Sequence, residues 1–200
     1  MAGQTDNSMV LIPSGKLIVS KEHRVTEIFI DKFFMDRFEV TQESYETIMR
    51  NNPSFFKDRK RPIEKINWFE AVEYCHRTGK RLPSEWEWEL AARAGSVSKF
   101  YFEKENAQLY GWFKKNSRQR TQRVGKKKPN TYGLFDMSGS VWEWTNSYRE
   151  AIQGKVLRGG SWRNSMNSMG SSNWITSLPI HKFHYVGFRC ASSDPPAGIE

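Results

Sequence analysis

The segment "RGGSWRNSMNSMGSSNWITSLPIHKFHYVGFRC", Arg158 to Cys190, has two orderly ends and an unpatterned middle. The ends, "RGGSW" and "VGFRC", combine glycines, large rings and single arginines, a composition suited to tight turns over a core. The middle mixes Ser, Asn, Met, Trp, Ile, His, Phe and Tyr with neither helical nor strand period. A chain that frames such a segment this tightly gives frame and interior different tasks.

The rest of the chain supplies a core large enough to carry that frame. Its 200 residues suit one domain, and 38% hydrophobic residues exclude disorder by composition. Eight Trp in a polar chain point to a core built from loops and rings, with ligand stacking as the other use of such residues. The net charge is +9, concentrated in "KKNSRQRTQRVGKKKP", Lys114 to Pro129. No nucleic-acid module accompanies that run, so a solvated basic loop is the expectation and nucleic acid is not an expected partner. No segment approaches the ~20 apolar residues of a membrane span. The start, "MAGQTDNSMV", lacks the basic and apolar regions of a signal peptide. Cys75 and Cys190 are too few and too far apart for zinc, and are read as two buried thiols or one bridge.

Capping patterns place the helices. "PSEWEWELAARAG" starts at Ser84 with Glu87 three residues on, a capping box, and Gly95 supplies the stop. "NWFEAVEYCHRTG" repeats the logic with Asn67, Glu70 and Gly79. A third helix follows Thr41 through "QESYETIMRN", with Pro53 as its end. Strand-like pieces are "KLIVS", "VTEIFIDKFFMDRFEV", "KVLRGG" and "YVGFRCA". The expected result is a single α+β domain over residues 9–192 with much irregular structure, and a frayed tail at 193–200.

Six phrases in order resemble the formylglycine-generating enzyme (sulfatase-modifying factor) family, a branch of the C-type-lectin-like fold. They are "MVLIPSG", "DRFEVTQESY", "INWFEAVEYCHRTGKRLPSEWEWELAARAG", "NTYGLFDMSGSVWEWTNSY", "VLRGGSW" and "VGFRCA". The resemblance implies the fold; function must be argued from the site. The family's enzymes hold copper through two cysteines soon after the "GGS" turn, because Cu(I) prefers thiolate sulfur. The corresponding positions here fall near Asn164 and Met169, which form no thiolate. A second branch holds iron with histidines of an added N-terminal domain that this sequence lacks. Of His23, His76, His181 and His184, only the last two are close in sequence, and on an irregular loop they are read as surface residues. The resemblance therefore implies a member without enzymatic activity and without a catalytic cofactor.

It also implies two structural features. In secreted members the cysteine of the "EAVEYC" helix pairs with the one after "GFR", which assigns a Cys75–Cys190 disulfide and an oxidising compartment. The family's calcium loop matches "DMSGSVWE". Asp136 and Glu143 would give carboxylates to a structural Ca²⁺, and Gly139 and Val141 backbone carbonyls. Ser140 stands where the family usually has Asn. The other reading of Asp136 and Glu143 is turn capping and pairing with Arg.

One group of relatives keeps this frame and varies its interior: the variable proteins of diversity-generating retroelements, the treponemal ones in particular. Their errors fall at template adenines, so Asn codons become Ser, Thr, Ile, His, Phe, Tyr, Leu, Arg or Gly. Residues 163–186 contain no Asp, Glu, Gln or Cys. Asn164, Asn167 and Asn173 stand beside Arg163, Ser165, Ser168, Gly170, Ile175, Ser177, Leu178, Ile180, His181, Phe183, His184 and Tyr185, all reachable from an Asn codon. Met166, Met169, Trp174 and Lys182 are not. Rings beside small polar residues also suit a paratope, so these positions and Trp174 form the expected ligand-binding set. Gly159 and Gly160 would permit the turns, and Trp142, Trp144, Trp162 and Phe188 would pack beneath. Arg158 and Arg189 would pair with buried carboxylates such as Glu143 or Glu87.

The function this implies is a display protein on a bacterial cell surface, with any signal or anchor outside this chain. Its ligand would be a macromolecule, protein rather than glycan. Two alternatives carry their own tests. A formylglycine-generating oxidoreductase would consume oxygen with copper and a Cys-containing peptide. A calcium-dependent lectin would lose glycan binding to a chelator. A plain structural loop at 163–186 would instead bury Phe183 and Tyr185, or His181 and His184, as alternating strand positions.

Overall fold

The computed structural model describes residues 9–21 and 24–196. His23, the first eight residues and the last four residues of the tail lie outside that range. Strands β1 (Met9–Ile12), β2 (Gly15–Lys21), β3 (Arg24–Ile30) and β4 (Phe33–Asp36) open the chain. β2 and β3 form an antiparallel hairpin, and β1, β4 and the late β9 (Ala191–Ser192) make a three-stranded sheet that joins the two ends of the domain. The piece expected as one strand through Val40 breaks after Ile30, where the chain leaves the hairpin to pair with β1. Its alternation is imperfect for a physical reason: Val25 and Phe29 face solvent on the outer side of the hairpin, while Ile30 is buried.

Three helices follow the capping signals. α1 (Gln42–Met49) starts on Thr41, whose hydroxyl accepts from Ser44 N. It ends earlier than Pro53, because Arg50 turns left-handed at φ 62°. α2 (Trp68–Arg77) and α3 (Glu85–Arg93) both close full capping boxes, on Asn67–Glu70 and Ser84–Glu87. The stop of α3 begins one residue before Gly95, at Ala94 with φ 46°. A short α4 (Ala107–Tyr110) precedes the basic stretch.

The second half of the chain builds a four-stranded sheet in the order β7–β6–β5–β8, from β5 (Trp142–Arg149), β6 (Gly154–Arg158), β7 (Trp174–Ser177) and β8 (Val186–Gly187). β5 and β8 run parallel, and the other pairs are antiparallel. Two apolar clusters hold the layers together. One joins α1 and α2 to Trp142, Trp144 and Phe188; the other joins β2, β3 and β4 to Trp88 of α3. Cys75 and Cys190, both fully buried, form a disulfide between α2 and the residue just before β9, with Cα atoms 5.7 Å apart.

Two buried arginines tie the clusters into one body. Arg189 donates to both carboxylate oxygens of Glu143, each at 2.8 Å, and Trp88 Nε1 also donates to Glu143 Oε2 at 2.7 Å. Arg158 pairs with Glu85 at 3.2 Å and Glu89 at 3.0 Å, not with Glu87. Glu87 faces the other side of α3 and is held by Arg81. Successive positions 85 and 89 lie one helical turn apart on the inner face, which explains the difference.

Candidate ligand-binding site

The segment after β6 leaves through Gly159 and Gly160, with φ 96° and 79°. A β-carbon on Gly160 would lie 2.9 Å from Ser168 O, so the residue must be glycine for the chain to fold back on itself. A 3-10 turn follows at Met166–Met169, and then β7. Neither element has a sequence period long enough to read. β7 forms because β6 presents a free edge, and Ile175 pairs with Leu157 across it.

Residues outside the segment pin its backbone. Lys114 N donates to Asn164 O at 2.9 Å, Lys65 N to Phe183 O at 2.9 Å, Trp68 N to Pro179 O at 3.0 Å and Trp142 N to Tyr185 O at 2.9 Å. On this fixed track the side chains of Arg163, Ser165, Asn167, Trp174, Ile175, Leu178, Ile180 and His181 are exposed. Asn164, Ser168, Asn173, Ser177, Phe183, His184 and Tyr185 are half-buried. Gly170 departs from the expectation: it is buried, and a side chain there would meet Lys99 at 3.0 Å. Met169 is fully buried against Phe100 and Phe113.

The half-buried residues divide by role. Asn164 Oδ1 accepts from Trp142 Nε1 at 2.9 Å and from Ser161 Oγ at 2.6 Å, so its amide is a structural strut. Asn173 Nδ2 donates to Asn167 O at 2.6 Å and closes the 3-10 turn. Phe183 and Tyr185 stack at 5.1 Å and lean on the α1–α2 cluster. His184 sits among Phe55, Phe56 and Trp162, and burial followed by the nearby charges of Arg163 and Lys65 lowers its pKa. His181 Nδ1 lies 3.0 Å from Ser177 Oγ and does not converge with His184 on a common point.

These residues enclose an open pocket of about 580 Å³, lined by Trp142, Arg163, Asn164, Ser168, Ser172, Asn173, Trp174, Ile175 and Tyr185. Trp174, 46% exposed, is one wall. Arg149 backs it at 5.0 Å, and Trp86 lies 5.8 Å behind that guanidinium. Arg163 lies 4.5 Å over the Tyr185 ring. Such ring and cation faces offer stiff contact area beside adaptable Ser and Asn groups. Two lining residues escaped the sequence reading. Ser172 carries the same codon signal as its neighbours. Trp142 lies outside the segment and reads as core; only the strand pairing brings its edge to the pocket floor.

Near the positions that correspond to the copper cysteines of the related enzymes stand Asn164, engaged with Trp142, and Met169, packed in the core. Both cysteines of the chain are spent in the disulfide, so no thiolate is present.

The "DMSGSVWE" loop is a charged, buried turn. Asp136 Oδ2 accepts from Gly125 N at 2.7 Å, and its Oδ1 has no hydrogen-bond partner. Burial raises Asp136 to about 6. Glu39 accepts from Ser140 Oγ and Val141 N, and burial, then Asp136 and Glu143, raise its pKa well above the usual range. Both oxygens of Glu143 are already engaged by Arg189. Among the described residues no three His, Cys, Asp or Glu side chains converge to hold a metal. As arranged, the donor set named for calcium does not fit one: its second carboxylate is turned to a guanidinium.

Comparison with known proteins places this geometry. The sulfatase-modifying factor enzyme 1-like domain matches residues 2–194. The chain is 27% identical to the chaperone protein LppX of Paenibacillus barcinonensis, over 81% of each protein. It is 37% identical to the inactive C-alpha-formylglycine-generating enzyme 2 of Mus musculus, over 66% of this chain and 49% of that one. The solved structure of Treponema denticola variable protein 1 superposes with a TM-score of 0.87 at 25% identity, over 93% of this chain and 95% of that one. The α+β architecture is thus the C-type-lectin-like fold of the formylglycine-generating-enzyme type. The chain belongs to the family of sulfatase-modifying factor enzyme 1-like domains.

Proposed function

We propose that this protein is a non-enzymatic display protein whose segment 163–186, rewritten by a retroelement, binds a macromolecular ligand. One observation carries the reading. The backbone of the segment is held by hydrogen bonds from residues outside it, while eight of its candidate side chains project into solvent. A backbone held from outside tolerates many side chains on top, which a diversified surface requires. The likeness to a treponemal variable protein and to a relative described as inactive supports the same reading. Within the segment, the contact set is the exposed residues with Ser168, Asn173, Ser177, Phe183, His184 and Tyr185. Gly170 and Asn164 belong to the support beneath.

The ligand on this reading is a protein surface, since the pocket is open and the exposed side chains of the segment extend beyond it to Leu178, Ile180 and His181. Arg189 acts as the cation of the "DMSGSVWE" loop in place of calcium. The disulfide supports an oxidising, extracytoplasmic location at the bacterial surface, and among the described residues no helix is long and apolar enough to cross a membrane.

The test is population sequencing of the gene's 3′ end, together with its downstream DNA. Substitutions clustered at codons 163–186, matching adenines of a nearby near-repeat, are expected. A uniform segment with no template repeat would sink the reading.

A further inference from the structure

The basic stretch is a loop with most of its cations exposed to solvent, and its backbone is anchored. Ser117 is fully buried and donates to Trp162 O at 2.9 Å. Lys114 N bonds Asn164 O, and Val124 N bonds Lys60 O at 3.0 Å. Lys127 Nζ lies 3.8 Å over the Trp112 ring and also donates to Gln108 O. Its cations are therefore carried on a rigid body, and they lie beside the variable segment.

Their neighbours on the other side are cations too. Lys57, Arg59 and Lys60 are exposed, and Arg61 is half-buried. Asp58 stands among these and takes Arg123 Nε at 2.9 Å, with Arg61 Nε 3.9 Å away. Arg61 Nε has no hydrogen-bond partner, and burial, then repulsion from Arg120, lowers its pKa. Lys114, Lys115, Arg118 and Arg120 are exposed and have no ion-pair partner among the described residues. Grouping like charges on one surface costs stability, and among the described residues only Asp58 and Glu43, the partner of Arg59 at 2.7 Å, form ion pairs with this group.

We infer that this face, residues 57–61 and 114–120, is the constant half of the ligand interface and takes a carboxylate-rich segment of the same partner protein that residues 163–186 contact. The inference rests on the display reading. Asp58 is the chain's own example of the chemistry: a carboxylate seated among arginines. Lys114 N bonds Asn164 O and Ser117 Oγ bonds Trp162 O, so the basic stretch adjoins the start of the variable segment. A fixed charged face supplies steering and approach whatever the diversified residues are, and leaves specificity to them.

The test uses poly-L-glutamate as probe, with heparin and phosphatidylglycerol vesicles in parallel. The variant K115A/R118A/R120A is compared with the charge-matched control K32A/R77A/K104A. The expected result is at least about tenfold weaker poly-glutamate binding in the first variant and little change in the control. Equal loss in both variants, or no poly-glutamate binding by the parent protein, overturns the inference. So does a parent protein that prefers heparin or vesicles to poly-glutamate. Poly-glutamate binding is read independently of the 3′-end sequencing, so the two readings fail separately.

Discussion

Arg189 and Glu143 face each other through two 2.8 Å hydrogen bonds, both side chains essentially without solvent contact. The guanidinium also donates to Asp36 O and Phe135 O, joining the first sheet to the turn that enters β5. Removing one partner leaves a buried charge unanswered. E143Q is expected to lower unfolding free energy by about 3–5 kcal/mol, read by urea denaturation. Millimolar calcium is expected to leave the melting temperature of the parent protein unchanged. A rise that a chelator reverses would restore the ion to this loop.

Buried carboxyls raised by their burial, Glu39, Glu64 and Asp136 among them, set a pH dependence of stability. Burial raises Glu64 to about 7, even though Phe56 N donates to its Oε1; its Oε2 has no partner. Asp136 is raised to about 6. The folded protein thus keeps protons that the unfolded chain has already released. Their contribution is complete below the ordinary carboxyl range and is lost as pH rises through 6 and then 7. The urea midpoint is expected to fall between about pH 5 and about pH 8, with Glu64 accounting for roughly 2–3 kcal/mol. E64Q is expected to flatten the upper part of that slope. Asp58 and Glu87, both lowered by arginine partners, act in the opposite sense only at more acidic pH.

Much of the fold was legible because its signals are local. Asn67 with Glu70 and Ser84 with Glu87 state their own helix starts, and both boxes close in the structure. β5 and β7 were not legible. β5 alternates poorly because Trp142, Glu143, Trp144 and Thr145 are all buried, one face by core and the other by α3 and the Arg189 pair. β7 owes its form to the edge of β6. At the site, codon chemistry singles out candidate positions but not which way a side chain points. Asn164 and Gly170 satisfy the codon rule and still lie in the support, because Trp142 and Lys99 approach from distant parts of the chain.

That division predicts a sharp contrast within one short segment. N164A removes the acceptor of the Trp142 indole and of Ser161. It is expected to cost about 1–3 kcal/mol. I180S and H181S touch exposed side chains and are expected to stay within about 0.5 kcal/mol. Thermal melts of the three variants check this. Equal losses in all three would mean that the outward residues support the fold and are not free to vary.

The disulfide is one support for the tolerant surface that the display proposal requires. Cys75 and Cys190 are 115 residues apart in sequence, and the bond closes a loop holding α3, the basic stretch and the whole variable segment. Restricting so long a loop in the unfolded chain stabilises the native state by about 4–5 kcal/mol in the chain-entropy model. Thiol titration in denaturant is expected to find no free thiol before reduction and two after it. C75A/C190A is expected to lower stability by a similar amount, and to widen the spread in stability among variants of residues 163–186. If that double variant is as stable as the parent, tolerance to diversification must come from the paired arginines and the aromatic core alone.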